Sequence, residues 1–232
     1  MSHPESLVPY IGFNTTDAMR GKLTLFLDAT AANDPKAGPL FVEFISVMTD
    51  HLIDTLLLEI IHIADVNKVG QKVIKLCATT AGKISTMLTG KIFKKLSPKQ
   101  LAPVADLWQK FLINTEENNH GDWYLLSPIS QEYSNNMDAI LEEKGDASNY
   151  EPKDLNTVMM QFDELVHIII DSFFLTSTRE VPIGTLTNKL LTSGVNTVEK
   201  GVAAVLQKVV RKFEPNQFGL FVEHMQQLYI RL

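Results

Sequence analysis

Cysteine is all but missing from this chain: 232 residues contain one, Cys77. A single thiol cannot close an internal disulfide, which excludes the disulfide-stapled scaffolds of small secreted proteins and any paired CxxC metal or redox site. The opening MSHPESLVPY has neither the basic start nor the long apolar run of a secretory signal, so a reducing cytoplasm is the expected compartment. Long apolar runs are also missing. LIDTLLLEIIHIA and LVHIIIDSFFL fall well short of the about 20 residues needed to span a bilayer, and Asp54, Glu59 and Asp171 interrupt them, so both read as buried helices. No Gly-rich phosphate loop, G-x-S-x-G elbow or HExxH motif occurs. No catalytic residue and no cofactor is therefore assigned, and the reading leans away from an enzyme.

A more local absence concerns charge. From Val66 to Ala105 there is no Asp or Glu, while Lys68, Lys72, Lys75, Lys83, Lys91, Lys94, Lys95 and Lys99 make the stretch strongly basic inside a chain whose net charge is -6.

What is present describes an ordinary folded protein. Apolar residues make up 45% and charged residues 21%, far from the composition of a disordered chain. The length suffices for one large core or two small ones without metal or disulfide support. Apolar positions recur at helical spacing and no convincing period-two alternation is found, so the expected fold class is all-α, a helical bundle with strands absent.

One pattern is written twice. KKLSPKQLAPVADLWQKFLI and RKFEPNQFGLFVEHMQQLYI align without a gap at an offset of 117 residues. The register continues backwards: Pro35 falls on Pro152, Asp54 on Asp171, Leu58 on Leu175, Lys83 on Lys200, Lys91 on Lys208 and Pro98 on Pro215. Agreement of helix phase between two amphipathic segments does not explain prolines matched at matched helix starts. The expectation is two tandem repeats of four to five helices, residues 1–116 and 117–232, packed as one body about a pseudo-twofold axis.

Within each half, helices are expected over 15–31 and 129–144, over 36–64 and 153–176, and from Ser97-Pro98 and Glu214-Pro215 onward. A break and restart is expected around Thr79 and Asn196, where Gly194, Asn196 and Glu199 have the spacing of a capping box. The polar stretch NTEENNHGDW reads as the linker. Gly70, Gly82, Gly90, Gly194 and Gly201 permit close helix contacts, and Cys77 sits on an apolar helical face as an inert core thiol.

Three constellations carry chemistry. Glu59-Ile-Ile-His62 and Glu164-Leu-Val-His167 have the Glu-x-x-His spacing of di-iron bundles, but they fall out of register in the 117-residue alignment and lack partner glutamates, which favours surface or helix-end residues. Asp50 and Asp54 match His167 and Asp171, and each pair is spaced four apart on one helix face, so these four side chains are candidate ligands of a metal or small molecule between the halves. An unpaired carboxylate inside HLIDTLLL or IIIDSFFL must find a lysine, a cap, water or a metal.

The third constellation is a paired basic stripe. Lys83, Lys91, Lys94 and Lys95 recur as Lys200, Lys208, Arg211 and Lys212. Such a stripe suits an acidic protein partner better than an anionic membrane surface, and nucleic acid least, since no aromatics interleave the cations. The functional expectation is a non-catalytic interaction or regulatory module presenting paired basic helices. The alternative is a metal- or small-ligand-binding protein with its site between the repeats, and a hydrophobic-ligand carrier is a third class that helical bundles readily support.

Overall fold

The computed structural model describes residues 8–114, 122–145 and 149–232. Residues 115–121 of the expected linker lie outside them. In chain order the first elements are β1 (Pro9–Asn14), α1 (Asp17–Ala31), α2 (Ala37–Ile53), a π-helical turn (Asp54–Leu58) running into α3 (Glu59–Ile63), α4 (Lys68–Phe93), α5 (Pro98–Phe111) and β2 (Leu112–Asn114). There follow β3 (Trp123–Pro128), α6 (Gln131–Lys144), α7 (Leu155–Ile170), a second π-helical turn (Asp171–Leu175) running into α8 (Thr176–Arg179), α9 (Thr185–Lys208), a 3-10 turn (Val210–Lys212), α10 (Pro215–Gln226) and β4 (Tyr229–Arg231). The chain is mostly helical, as expected.

Helix starts follow side-chain chemistry. Thr16 accepts from the Met19 amide at the head of α1, Asn67 from Val69 and Gly70 at the head of α4, and Asp154 from Asn156 and Thr157 at the head of α7. α5 and α10 both open with proline behind a reciprocal capping box, Ser97 with Gln100 and Glu214 with Gln217. Both π turns begin on an aspartate, and in each the closing bond spans five residues, from the Glu59 amide to the Asp54 carbonyl and from the Thr176 amide to the Asp171 carbonyl.

Two expectations are corrected. Strands are present: an antiparallel sheet in the order β2-β3-β1-β4 joins Tyr10 to Pro128, Pro9 to Arg231 and Leu112 to Leu125. β1 and β3 can approach because Gly12 carries no side chain; a Cβ there would lie 2.3 Å from the Leu125 carbonyl oxygen. The fold is therefore helical with a small sheet, not purely α. The second correction is that α4 and α9 run unbroken through Thr79 and Asn196. Gly194 serves packing instead of capping, since a Cβ at this position would come within 2.8 Å of Leu88 and 2.9 Å of Ile84. With Gly201 against Cys77 and Gly70 against Val209, α4 and α9 lie antiparallel along each other.

The core joins the two halves by reciprocal contacts. Trp108 of α5 is fully buried, stacks edge-on to Phe44 at 4.8 Å, lies 6.2 Å from Phe173 of the second π turn, and donates its indole N–H to Ser177 Oγ at 2.9 Å. In the other direction, Nε2 of buried His224 on α10 lies 2.6 Å from the Thr55 carbonyl of the first π turn, and Gln217 donates to the Ala64 carbonyl. A carbonyl only accepts, so His224 carries its proton on Nε2.

Candidate functional site

Where the two central helices of each half come together, α2 with its π turn and α7 with its own, the side chains leave an apolar cavity of ≈ 150 Å³ floored by α4 and α9. Its wall recurs at the 117-residue offset: Leu52 with Ile169, Ile53 with Ile170, Leu56 with Phe173, Leu57 with Phe174, Ala81 with Val198 and Leu88 with Val205. Both π turns contribute, because the extra residue in each swings two bulky side chains into the wall.

The few polar side chains of the wall are already engaged. Thr49 and Ser85 bond to each other at 2.9 Å, Ser177 accepts from Trp108, and the Thr178 hydroxyl donates to the Leu175 carbonyl. Only the Thr89 hydroxyl has no such partner among the described residues. Ordered water needs two to four polar partners, which this wall does not supply. Folded interiors are packed as densely as organic crystals and hold few voids larger than a water molecule. At about 24 cal/mol per Å³, an empty space of this size would cost about 3–4 kcal/mol, a large part of the 5–15 kcal/mol that keeps a domain folded.

Two surface depressions flank this cavity at matched positions. The first, of ≈ 320 Å³, is lined by Leu58, Ile61, His62, Asp65, Gln71 and Lys75 and shares no wall residue with the cavity. The second, of ≈ 630 Å³, is lined by Arg179, Asn188, Thr192 and Asn196 among others. It shares Thr178, Leu191 and Val195 with the cavity wall.

The expected ligand set Asp50, Asp54, His167 and Asp171 is placed differently from its sequence reading. Asp50 and Asp54 are exposed. Asp171 is half-buried and forks onto the Arg179 guanidinium, while His167 Nδ1 lies 3.0 Å from Glu199 Oε1 on α9. The hydrogen bond to Glu199 raises the His167 pKa above its ordinary value. Among the described residues no group of three or more His, Cys, Asp or Glu side chains is gathered to hold a metal ion. Glu59, His62 and Glu164 are exposed. Cys77 is buried against Gly201, and burial pushes its thiol up to about 11, unfavourable to a nucleophilic thiolate.

Lys83, Lys91, Lys94, Lys95, Lys200, Lys208, Arg211 and Lys212 are all exposed. Among the described residues none of them enters an ion pair; Arg211 reaches only the Gln207 side-chain oxygen, at 3.3 Å. Among the described residues no helix is long and apolar enough to cross a membrane.

Sequence reasoning missed the cavity residues. The available signal was weak: Ala81 and Ser85, one turn apart, are small side chains on an otherwise bulky apolar helix face. Compared with protein-family models, with curated proteins and with solved structures, the chain finds no match.

Proposed function

We propose that this chain is a non-catalytic binding protein that holds a small apolar ligand in the cavity between two duplicated halves. The observation that carries the reading is the apolar space of ≈ 150 Å³ whose polar side chains are nearly all bonded within the protein. A cavity lined by Leu, Ile and Phe takes an apolar group, and filling it recovers the dispersion contacts that a void forfeits. The duplication and its pseudo-twofold axis belong to the same proposal. They are supported by π turns beginning at Asp54 and Asp171, proline-led helices at Pro98 and Pro215, and short strands at Leu112 and Tyr229, each pair 117 residues apart. The axis would pass between α4 and α9 near Ala81 and Val198, so the ligand sits where the two copies meet. A cytoplasmic location suits a lone buried thiol and is proposed with it.

Native mass spectrometry of the purified protein, followed by titration with dodecanol, tests this reading. A co-purified small molecule, or saturable 1:1 binding of dodecanol, is expected; an empty protein that also ignores dodecanol overturns it.

A second reading rests on a separate observation, the eight exposed cations of the paired stripe that no carboxylate neutralises among the described residues. It proposes an acidic protein partner, held by rim charge and strongly dependent on salt. Reversing Lys91, Lys94, Lys208 and Arg211 to glutamate should abolish salt-sensitive binding of a poly-glutamate peptide without unfolding the chain. Unchanged binding sinks that reading and leaves the cavity untouched.

A further inference from the structure

The cavity's wall is long and its volume small. On the first central helix it runs from Phe41 to Ile60, and on the second from Phe162 to Thr178. These spans correspond to rises of about 28 Å and about 24 Å at 1.5 Å per helical residue. A volume of ≈ 150 Å³ bordered by walls of that length fits a narrow channel, which suits a flexible chain better than a compact ring system.

Among the described residues the channel shares its wall with a polar depression in the second half only. Thr178, Leu191 and Val195 line both the channel and the second-half depression, where Arg179, Asn188 and Asn196 present donors while the Thr192 hydroxyl already donates to the Asn188 carbonyl. Asn188, Thr192 and Asn196 also form part of a neighbouring depression of ≈ 400 Å³ that adds Lys189 and Lys200. Among the described residues no Asp or Glu lines either depression. Asp171 occupies two of the five N–H donors of Arg179, which leaves the remainder of the guanidinium available. The counterpart depression of the first half instead contains Asp65 and shares no wall with the channel.

Resting on the apolar-ligand reading above, we infer that the occupant is a single-chain amphiphile with an anionic head. Its alkyl chain lies in the channel, and its head lies where the second-half depression meets its neighbour, among Asn188, Asn196, Arg179 and the lysines. The Arg179 donors that Asp171 leaves free, with lysines that enter no ion pair among the described residues, favour a carboxylate or phosphate head over a neutral one, and the exposed position of the lysines makes that preference sensitive to salt.

Calorimetric titration of the full chain with dodecanoate and with dodecanol separates the two layers of the argument. At low salt dodecanoate is expected to bind at least about tenfold more tightly than dodecanol, a difference of about 1.4 kcal/mol, and the gap should narrow as salt is added. The double variant Lys189→Glu, Lys200→Glu changes only exposed side chains and is expected to erase the gap while leaving dodecanol affinity unchanged. Equal affinities in the parent protein, or a gap that survives the double variant, overturn the anionic-head assignment alone. Failure of both compounds to bind overturns the cavity reading beneath it.

Discussion

The two halves carry surface depressions at matched positions, yet among the described residues only the second-half one shares wall residues with the cavity. In the first half Ile61 and Ile74 are buried, and the Gln71 side chain turns to the Val66 carbonyl at 2.9 Å, leaving the pocket beside His62 and Asp65 walled off. In the second half Thr178 stands where the first has Ile61, Leu191 where it has Ile74, and Asn188 where it has Gln71. All three residues line the depression, and Thr178 and Leu191 also line the cavity. α9 also packs less closely on α7 than α4 does on α2. The difference teaches how two halves that match at a 117-residue offset can border the cavity differently through a handful of side-chain volumes.

The comparison can be broken most severely at the reciprocal anchors. Trp108→Ala removes the fully buried indole through which α5 holds the second π turn, and leaves Ser177 Oγ without its donor. A loss of about 3–5 kcal/mol is expected, read from the denaturant midpoint. His224→Met deletes the opposite anchor and leaves the Thr55 carbonyl unpaired. The expected loss is about 1–3 kcal/mol, visible as a lowered midpoint with an unchanged denaturant slope. Comparable losses from both variants would contradict the view that the first-half tryptophan is the stronger anchor.

A smaller effect distinguishes the halves by pH. His167 and Glu199 tie α7 to α9, whereas the matched positions of the first half hold Asp50 and Gly82. The folded-state pKa of His167 is raised by Glu199, so the pair's contribution is fully present below the unfolded value of about 6.5 and disappears as pH rises through the folded value. Glu199→Gln should therefore be slightly less stable than the parent in mild acid and indistinguishable from it at weakly alkaline pH. The pair is largely exposed, so the difference should be small and diminished by salt. A deficit that grows with pH would assign Glu199 some other role.

Much of the helical framework is legible in the sequence because it is local. Pro98 and Pro215, each followed two residues later by glutamine, announce capped helix starts, and the acid-free stretch from Val66 to Ala105 announces an exposed lysine face. The sheet is not local. Its edge strands are three residues long, and Tyr10 pairs with Ile230 near the opposite end of the chain, so neither alternation nor a hairpin turn marks it. Gly194, Asn196 and Glu199 imitate a capping box, but the glycine is there to admit Leu88 and Ile84, a requirement set by another helix. The cavity is hidden for the same reason: it depends on how Ala81, Ser85 and their neighbours fail to fill the space facing them from the other half.

Filling the cavity from within tests the account most directly. Ala81→Leu places three more carbons at the proposed meeting point of the halves, where Ala81 and Val198 both line the void. If the space is a ligand site, the variant should melt at a higher temperature than the ligand-free parent and no longer bind dodecanol. A variant that loses about 1–3 kcal/mol, as overpacking a filled core does, and still binds dodecanol as the parent does would contradict it.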